Sequence, residues 1–109
     1  MIARLWRATT TKAREADYLA AVQATVLPHF HTVSGYRGAL FLIRDAGDSK
    51  EIRVLTFWDS IGALHALTGP NHERAFVPDM IRKTLNEAGA TADHFDVAVA
   101  DDLQFSIQN

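Results

Sequence analysis

Apolar and polar positions alternate from the start of the chain. Within residues 1–8, Ile2, Arg4 and Trp6 fall on one side and Ala3, Leu5 and Arg7 on the other, the two-residue period of a strand. Thr9, Thr10 and Thr11 offer hydroxyls for a loop and a helix start, and Glu15 and Asp17 bring negative charge to the first turn, where it complements the helix dipole. Tyr18, Leu19, Val22, Val26 and Phe30 recur at helical spacing, which predicts a helix from about residue 12 to about residue 27, kinked or ended by Pro28. Ser34-Gly35 marks a turn, and the run GALFLIR from Gly38 to Arg44 has strand length. Asp45 to Lys50 reads as a hairpin loop in which Gly47 is free to take positive φ, and Ile52 to Trp58 returns as a third strand.

After that strand the period lengthens again. Asp59 or Ser60 caps a short helix carrying Ile61, Leu64 and Leu67, which Gly69-Pro70 stops. Asn71 is placed to cap a second short segment through Phe76. Pro78-Asp79 opens a third, with Ile81 and Leu85 on one face and Gly89 as its stop. Phe95, Val97 and Val99 alternate with His94, Asp96 and Ala98 as a fourth strand, and Leu103 to Ile107 is either a short edge strand or loose.

The order β-α-β-β-α-β predicts a ferredoxin-like α+β fold, a four-stranded antiparallel sheet with helices on one face. Nothing in the sequence is left to cover the other face. Phe41 and Ile43, or their alternates Leu40 and Leu42, would then meet water. A homodimer through the sheet faces is the expected remedy.

Length and charge narrow the function classes. The 109 residues make one domain, with a core over about residues 1–100 and a tail at 101–109. A net charge of −2 argues against nucleic acid as a partner, since phosphate binding needs a basic surface. There is no cysteine, which removes disulfides and thiolate chemistry and fits a reducing compartment. The first residues lack a signal-peptide core, and no apolar run reaches membrane-spanning length. A cytoplasmic protein with no membrane partner is expected.

Several short stretches, taken together, are familiar. MIARLWR opening the first strand, Gly35 and Gly38 before the second, FWDS closing the third, ERA in the broken helix and HFDV in the last strand resemble the antibiotic biosynthesis monooxygenase family, over roughly residues 1 to 100. The resemblance implies a dimeric α+β barrel whose protomers each keep a small pocket between sheet and helices. Some members of the wider family oxygenate polyaromatic quinone precursors without metal or organic cofactor, some degrade heme, and many have no assigned activity. The fold therefore implies a pocket rather than a chemistry.

The candidate residues each have two readings. Trp6, on the face shared with Arg4, stands near the strand position where heme-degrading relatives carry a catalytic asparagine. It is either a ring stacking on a flat substrate and donating its N–H, or a core side chain. Arg4 either holds a phenolate or carboxylate or reaches solvent. Trp58 reads as a structural plug, and Asp59 and Ser60 as caps. His65 and His72 would share a face of an unbroken helix, but Gly69-Pro70 removes that argument and with it a metal pair. His29 and His31 read as polar residues at a helix–loop junction, and His94 as part of the dimer seam or surface.

Heme degradation is disfavoured, because the family's ligand histidine would fall near Ala75 to Val77, where this chain has none. The leading expectation is a cofactor-independent monooxygenase acting on a small phenol- or quinone-type aromatic, with no metal. His72, Arg74 and Trp6 are its catalytic candidates, and Arg4, Trp6, His65 and Phe76 its substrate-binding residues. The alternatives are a non-catalytic ligand-binding or stress-response barrel, and a cyclase or isomerase on the same fold.

Overall fold

The computed structural model describes residues 1–105. Strand β1 (Ile2–Thr11) is longer than its alternation suggests. The β-branched Thr9, Thr10 and Thr11 suit a pleated surface and pair with Glu51, Lys50 and Ser49 instead of opening a loop. Helix α1 (Glu15–Ala21) therefore begins three residues later than expected, with Glu15 and Asp17 in its first turn.

Pro28 does not end the helix. A π-helical segment, Val22–Val26, joins α1 to α2 (Leu27–His31), and the Leu27 N–H reaches back to the Val22 carbonyl. A proline lacks an N–H and its ring collides with the carbonyl four residues earlier; a widened turn just before it relieves that collision. The helix runs on, with Phe30 buried and His29 exposed.

Strands β2 (Tyr36–Ala46) and β3 (Ser49–Trp58) form the expected hairpin, turned at Gly47 with φ of 67°. Ser60 caps α3 (Ile61–Thr68), its hydroxyl accepting from the Ala63 N–H at 3.1 Å, while Asp59 pairs with Arg37. The expected helix over residues 71–76 does not form. Pro70 and Pro78 bracket this segment, and the Asn71 side chain accepts from the Glu73 N–H at 3.2 Å in a local turn. The chain instead lies alongside residues 90–92, through Ala75 N–H to the Ala90 carbonyl at 3.0 Å and Ala92 N–H to the Glu73 carbonyl at 2.9 Å. Helix α4 (Asp79–Arg82) is a single turn, so Gly89 is not its stop.

Two short strands follow, β4 (Glu87–Ala88) and β5 (Asp93–Asp96). Both pair antiparallel with the same edge of β1, opposite Ala8–Thr9 and Ile2–Leu5. The expected fourth strand, 94–99, is present as β5 but ends at Asp96, while β4 forms where the third helical segment was expected to run on to Gly89. The sheet order β2-β3-β1-β4, with β5 also on β1, is the ferredoxin-like one. Leu103 to Phe105 form no strand, and the rest of that stretch, Ser106 and Ile107, lies outside the described residues.

One sheet face and the helices enclose the core. Trp6, Ala8, Ile52, Val54 and Trp58 meet Tyr18, Val22, Val26, Phe30, Leu64 and Ile81, and each large side chain contributes roughly 1.5–3 kcal/mol by leaving water. Trp58 is fully buried; its indole donates to Thr56 Oγ1 at 2.8 Å and its ring meets Phe30 and Tyr36, so it plugs this corner as expected. Phe41 and Ile43 pack against the core, which settles the choice left open by the sequence. Their alternates Leu40 and Leu42 share the other face with Leu5, Leu55, Phe57 and Phe95, where Leu42 and Phe95 are 49% and 53% exposed. No described helix is long and apolar enough to cross a membrane.

Candidate active site

Two voids lie beneath and beside the segment 69–78. The larger is a cleft of about 750 Å³, bounded by Thr25 and His29 of the first helical run, Leu67 and Thr68 at the end of α3, residues 74–78, Arg82 and residues 88–90. The smaller is an inner cavity of about 40 Å³ lined by Arg4, Trp6, Phe30, Val54, Thr56, Leu67 and Phe76. The cavity lies between the sheet and the helices, where the resemblance implies a pocket. It is small, because Trp6, Phe30 and Phe76 fill most of the space themselves, whereas a benzene ring takes a cavity of roughly 150 Å³.

Arg4 is the unusual group. It is only 5% exposed, yet among the described residues none of its hydrogen-bond partners is a carboxylate. Nη1 donates to the His72 carbonyl and to His94 Nε2 (2.8 Å), and Nη2 donates to the Arg74 carbonyl at 2.8 Å. A guanidinium only donates, so His94 Nε2 accepts and the imidazole is the neutral Nδ1–H tautomer. Burial, followed by the positive charges of Arg4 and His72, holds His94 below its ordinary value of 6.5. Burial also pulls Arg4 down to about 10, and it stays charged at neutral pH.

His94 therefore does not serve the open sheet face. Its register opposite Arg4 turns it to the helix side, where its ring meets His72 edge-on at 5.0 Å between centroids. His65 and His72 also come together across the Gly-Pro break, stacked at 5.7 Å and 29°. The break reverses the chain across the end of α3, so residues expected to diverge end up adjacent. Within this row His72 Nδ1 is buried without a hydrogen-bond partner among the described residues. None of the three imidazoles lines the cleft or the cavity. Among the described residues no group of three or more His, Asp or Glu side chains could hold a metal ion, and the Arg4 charge opposes a cation beside this row.

The other candidates are distributed unevenly. Trp6 walls the inner cavity, but its Nε1–H is committed to the Gly89 carbonyl at 2.7 Å, leaving it no donor for a ligand. Arg74 is exposed on the cleft, and its carbonyl is one of the anchors of Arg4. Phe76 lines both voids and lies flat on His29, with centroids 5.3 Å apart and rings 11° from parallel. His29 and Arg82 also line the cleft; the sequence reads His29 as a polar residue at a helix–loop junction and gives Arg82 no role. The available signal was the i, i+4 spacing of Thr25 and His29, which counts only if the helix continues through Pro28.

No protein-family model matches the sequence, and no curated protein does. Solved structures do share the fold. The heme-degrader MhuD of Mycobacterium tuberculosis, solved with two hemes bound in its active site, aligns with a TM-score of 0.57 and 19% identity over 94% of this chain and 100% of that one. A Bacillus cereus protein named as a candidate antibiotic biosynthesis monooxygenase aligns at 0.54 and 11% identity, over 94% of this chain and 97% of its own. A similarly named protein of Deinococcus radiodurans aligns at 0.54 and 13% identity, over 96% and 100%. At such identities the likeness establishes the fold, that of the antibiotic biosynthesis monooxygenase proteins, and no reaction.

Proposed function

We propose that this chain is an oxygenase-type protein that takes a small anionic aromatic, of phenol or quinol type, into the cleft between the first helical run and the segment 69–78. The observation that carries this reading is the charge of the lining. Arg74, Arg82 and His29 face the cleft with no carboxylate among its wall residues, in a chain whose net charge is −2. An electropositive recess on a weakly acidic protein selects an anion. The Phe76–His29 stack offers a flat surface for a ring.

The chemistry follows from the charge. Guanidinium donors stabilise a phenolate, and ionisation makes the ring electron-rich. A methylene carbon conjugated to the phenolate loses a proton and passes its electron pair to dioxygen, forming a carbon–oxygen bond and a hydroperoxide. Loss of water from that hydroperoxide leaves a carbonyl. One oxygen atom stays in the product and the other departs as water, so the substrate is the only reductant. His29 is the imidazole placed to accept the proton, and imidazole is the side chain suited to that role near neutral pH. His72 would act on the segment's position rather than on the ligand, because its carbonyl is held by Arg4.

Heme fits the inner cavity poorly, since none of the cavity's wall residues can serve as an axial ligand. Heme binding would have to use His29 in the outer cleft. The same reading includes a homodimer through the open sheet face and a reducing, cytoplasmic setting.

Oxygen uptake with a panel of anthrones and hydroquinones tests the activity. We expect saturable uptake that falls about tenfold or more when Arg74 and Arg82 are both changed to Gln, from the loss of charge-assisted hydrogen bonds. No saturable uptake across the panel refutes the oxygenase, and binding without uptake leaves the non-catalytic barrel in its place. A Soret shift on hemin titration that disappears in His29→Ala would assign the cleft to heme instead.

A further inference from the structure

We propose that Phe76 is a specificity-determining gate between the outer cleft and the buried Arg4; this rests on reading the cleft as the site of a small anionic aromatic. The two voids are separate, and among the described residues only Leu67 and Phe76 line both. Leu67 is fixed within α3 by helical hydrogen bonds. Phe76 is not fixed in that way. The Ala75 N–H is tied to the Ala90 carbonyl at 3.0 Å, and the Pro78 carbonyl accepts from Ile81 and Arg82 at 2.9 Å each. Between those anchors, among the described residues, neither Phe76 nor Val77 makes a backbone hydrogen bond.

Packing alone holds the Phe76 ring. It stacks on His29 at 5.3 Å and tilts against Phe30 at 6.4 Å. These two supports are sequence neighbours with opposite surroundings, His29 exposed and Phe30 buried. The ring therefore straddles the boundary between solvent and core. Behind it the cavity of about 40 Å³ has room for little more than a water molecule. Arg4 is among the residues lining that cavity, and its guanidinium, with five N–H groups, makes three hydrogen bonds. That leaves two N–H groups of Arg4 uncommitted, and in this proposal they meet a ligand that passes the gate.

Rotation of Phe76 breaks no backbone hydrogen bond and vacates the volume of one aromatic ring. A ligand ring entering in its place exchanges ring for ring, which conserves packing. The ligand this admits is narrow, with an ionised oxygen at its leading end to meet the free N–H groups of Arg4. Broader fused systems stay in the outer cleft against Arg74 and Arg82.

The test uses Phe76→Ala and the milder Phe76→Leu, with 4-nitrophenolate as ligand probe and acrylamide as a probe that needs no binding site. Trp6 lines the cavity while Trp58 is fully enclosed elsewhere, so an opened gate exposes one tryptophan of the two to quenching. Opening the gate should raise the acrylamide quenching constant about threefold or more in Phe76→Ala, less in Phe76→Leu, and speed 4-nitrophenolate association about tenfold. Unchanged quenching in both folded variants, with 4-nitrophenolate bound at the wild-type rate, overturns the gate and leaves the cleft reading standing. Raised quenching with no 4-nitrophenolate binding by any of the three proteins supports the gate and refutes the anionic-aromatic reading.

Discussion

Replacing Gly89 with alanine adds one methyl group, at a place where the chain has no room for it. A Cβ built there lies 2.8 Å from the Arg7 carbonyl oxygen and 3.3 Å from Trp6 Nε1. The first of these neighbours is backbone of the central strand and cannot swing aside. Two hydrogen bonds depend on the same approach, Gly89 N–H to the Arg7 carbonyl at 2.8 Å and the Trp6 indole to the Gly89 carbonyl at 2.7 Å. Overpacking of this kind costs about 1–3 kcal/mol, and weakening one of the bonds adds about 1 kcal/mol. We therefore expect Gly89→Ala to lose about 2–4 kcal/mol, or very roughly 10–20 °C in Tm for a domain of this size. Gly47→Ala is the control: its φ of 67° makes alanine strained, but nothing lies within 4 Å of the added Cβ, so about 1–2 kcal/mol is expected. Urea unfolding followed by tryptophan fluorescence measures both. A Gly89→Ala protein within about 0.5 kcal/mol of wild type, or less destabilised than Gly47→Ala, would show that β4 does not press on β1 and that Trp6 is not fixed by Gly89.

Acid should weaken the fold through His94. Its folded pKa is held below the ordinary 6.5, so as pH falls the unfolded chain takes up the proton first; stability is full above 6.5 and declines as pH drops through the folded value. His94→Gln keeps an acceptor for Arg4 and removes the titration, so the difference between urea melts at about pH 7.5 and about pH 5 should shrink; an unchanged difference means that His94 is not the group responsible. Trp58→Phe gives up the bond to Thr56 Oγ1 at full burial and should cost about 1–3 kcal/mol in the same unfolding assay, and a neutral result would contradict the plug. For the proposed dimer, sedimentation at micromolar concentration should show two-chain particles for wild type and single chains for Leu42→Asp, which puts a charge on the open sheet face; a wild-type monomer removes the dimer.

Local patterning made most of the fold legible. The alternation of Ile2, Arg4 and Trp6, the apolar run from Gly38 to Arg44 and the cap at Ser60 each encode their element within a few residues, and the structure has them there. The misreadings share a cause. Pro28 and the 69–78 segment are decided by how backbone polar groups find partners, and those partners are distant or unconventional. Periodicity cannot see the Leu27 N–H reaching the Val22 carbonyl in a widened turn, nor Ala75 and Ala92 pairing with residues on the opposite side of the segment. A short apolar stretch such as Ala75-Phe76-Val77 suits a helix turn and an extended strand equally.

The site depended on those same two places, which is why it was only half legible. Arg4, Trp6, Arg74 and Phe76 do surround the voids, because strand alternation and proximity to the break are local properties. The histidines were misplaced through long-range consequences. Extending the helix past Pro28 brings His29 to the cleft, turning the chain back at Gly69-Pro70 stacks His72 on His65, and the register of β5 on β1 sets His94 opposite Arg4. In each case the imidazole's surroundings are set by how the chain turns or pairs, tens of residues away for His29 and His94 and across the Gly69-Pro70 reversal for His72. The row His65–His72–His94 then has a physical explanation without chemistry. It packs beside a buried guanidinium that lacks a carboxylate partner, and His94, held neutral, supplies the acceptor that the missing carboxylate would have provided. That leaves Arg4 with its positive charge uncompensated at the edge of a cavity, the condition under which an incoming anion gains most from meeting it.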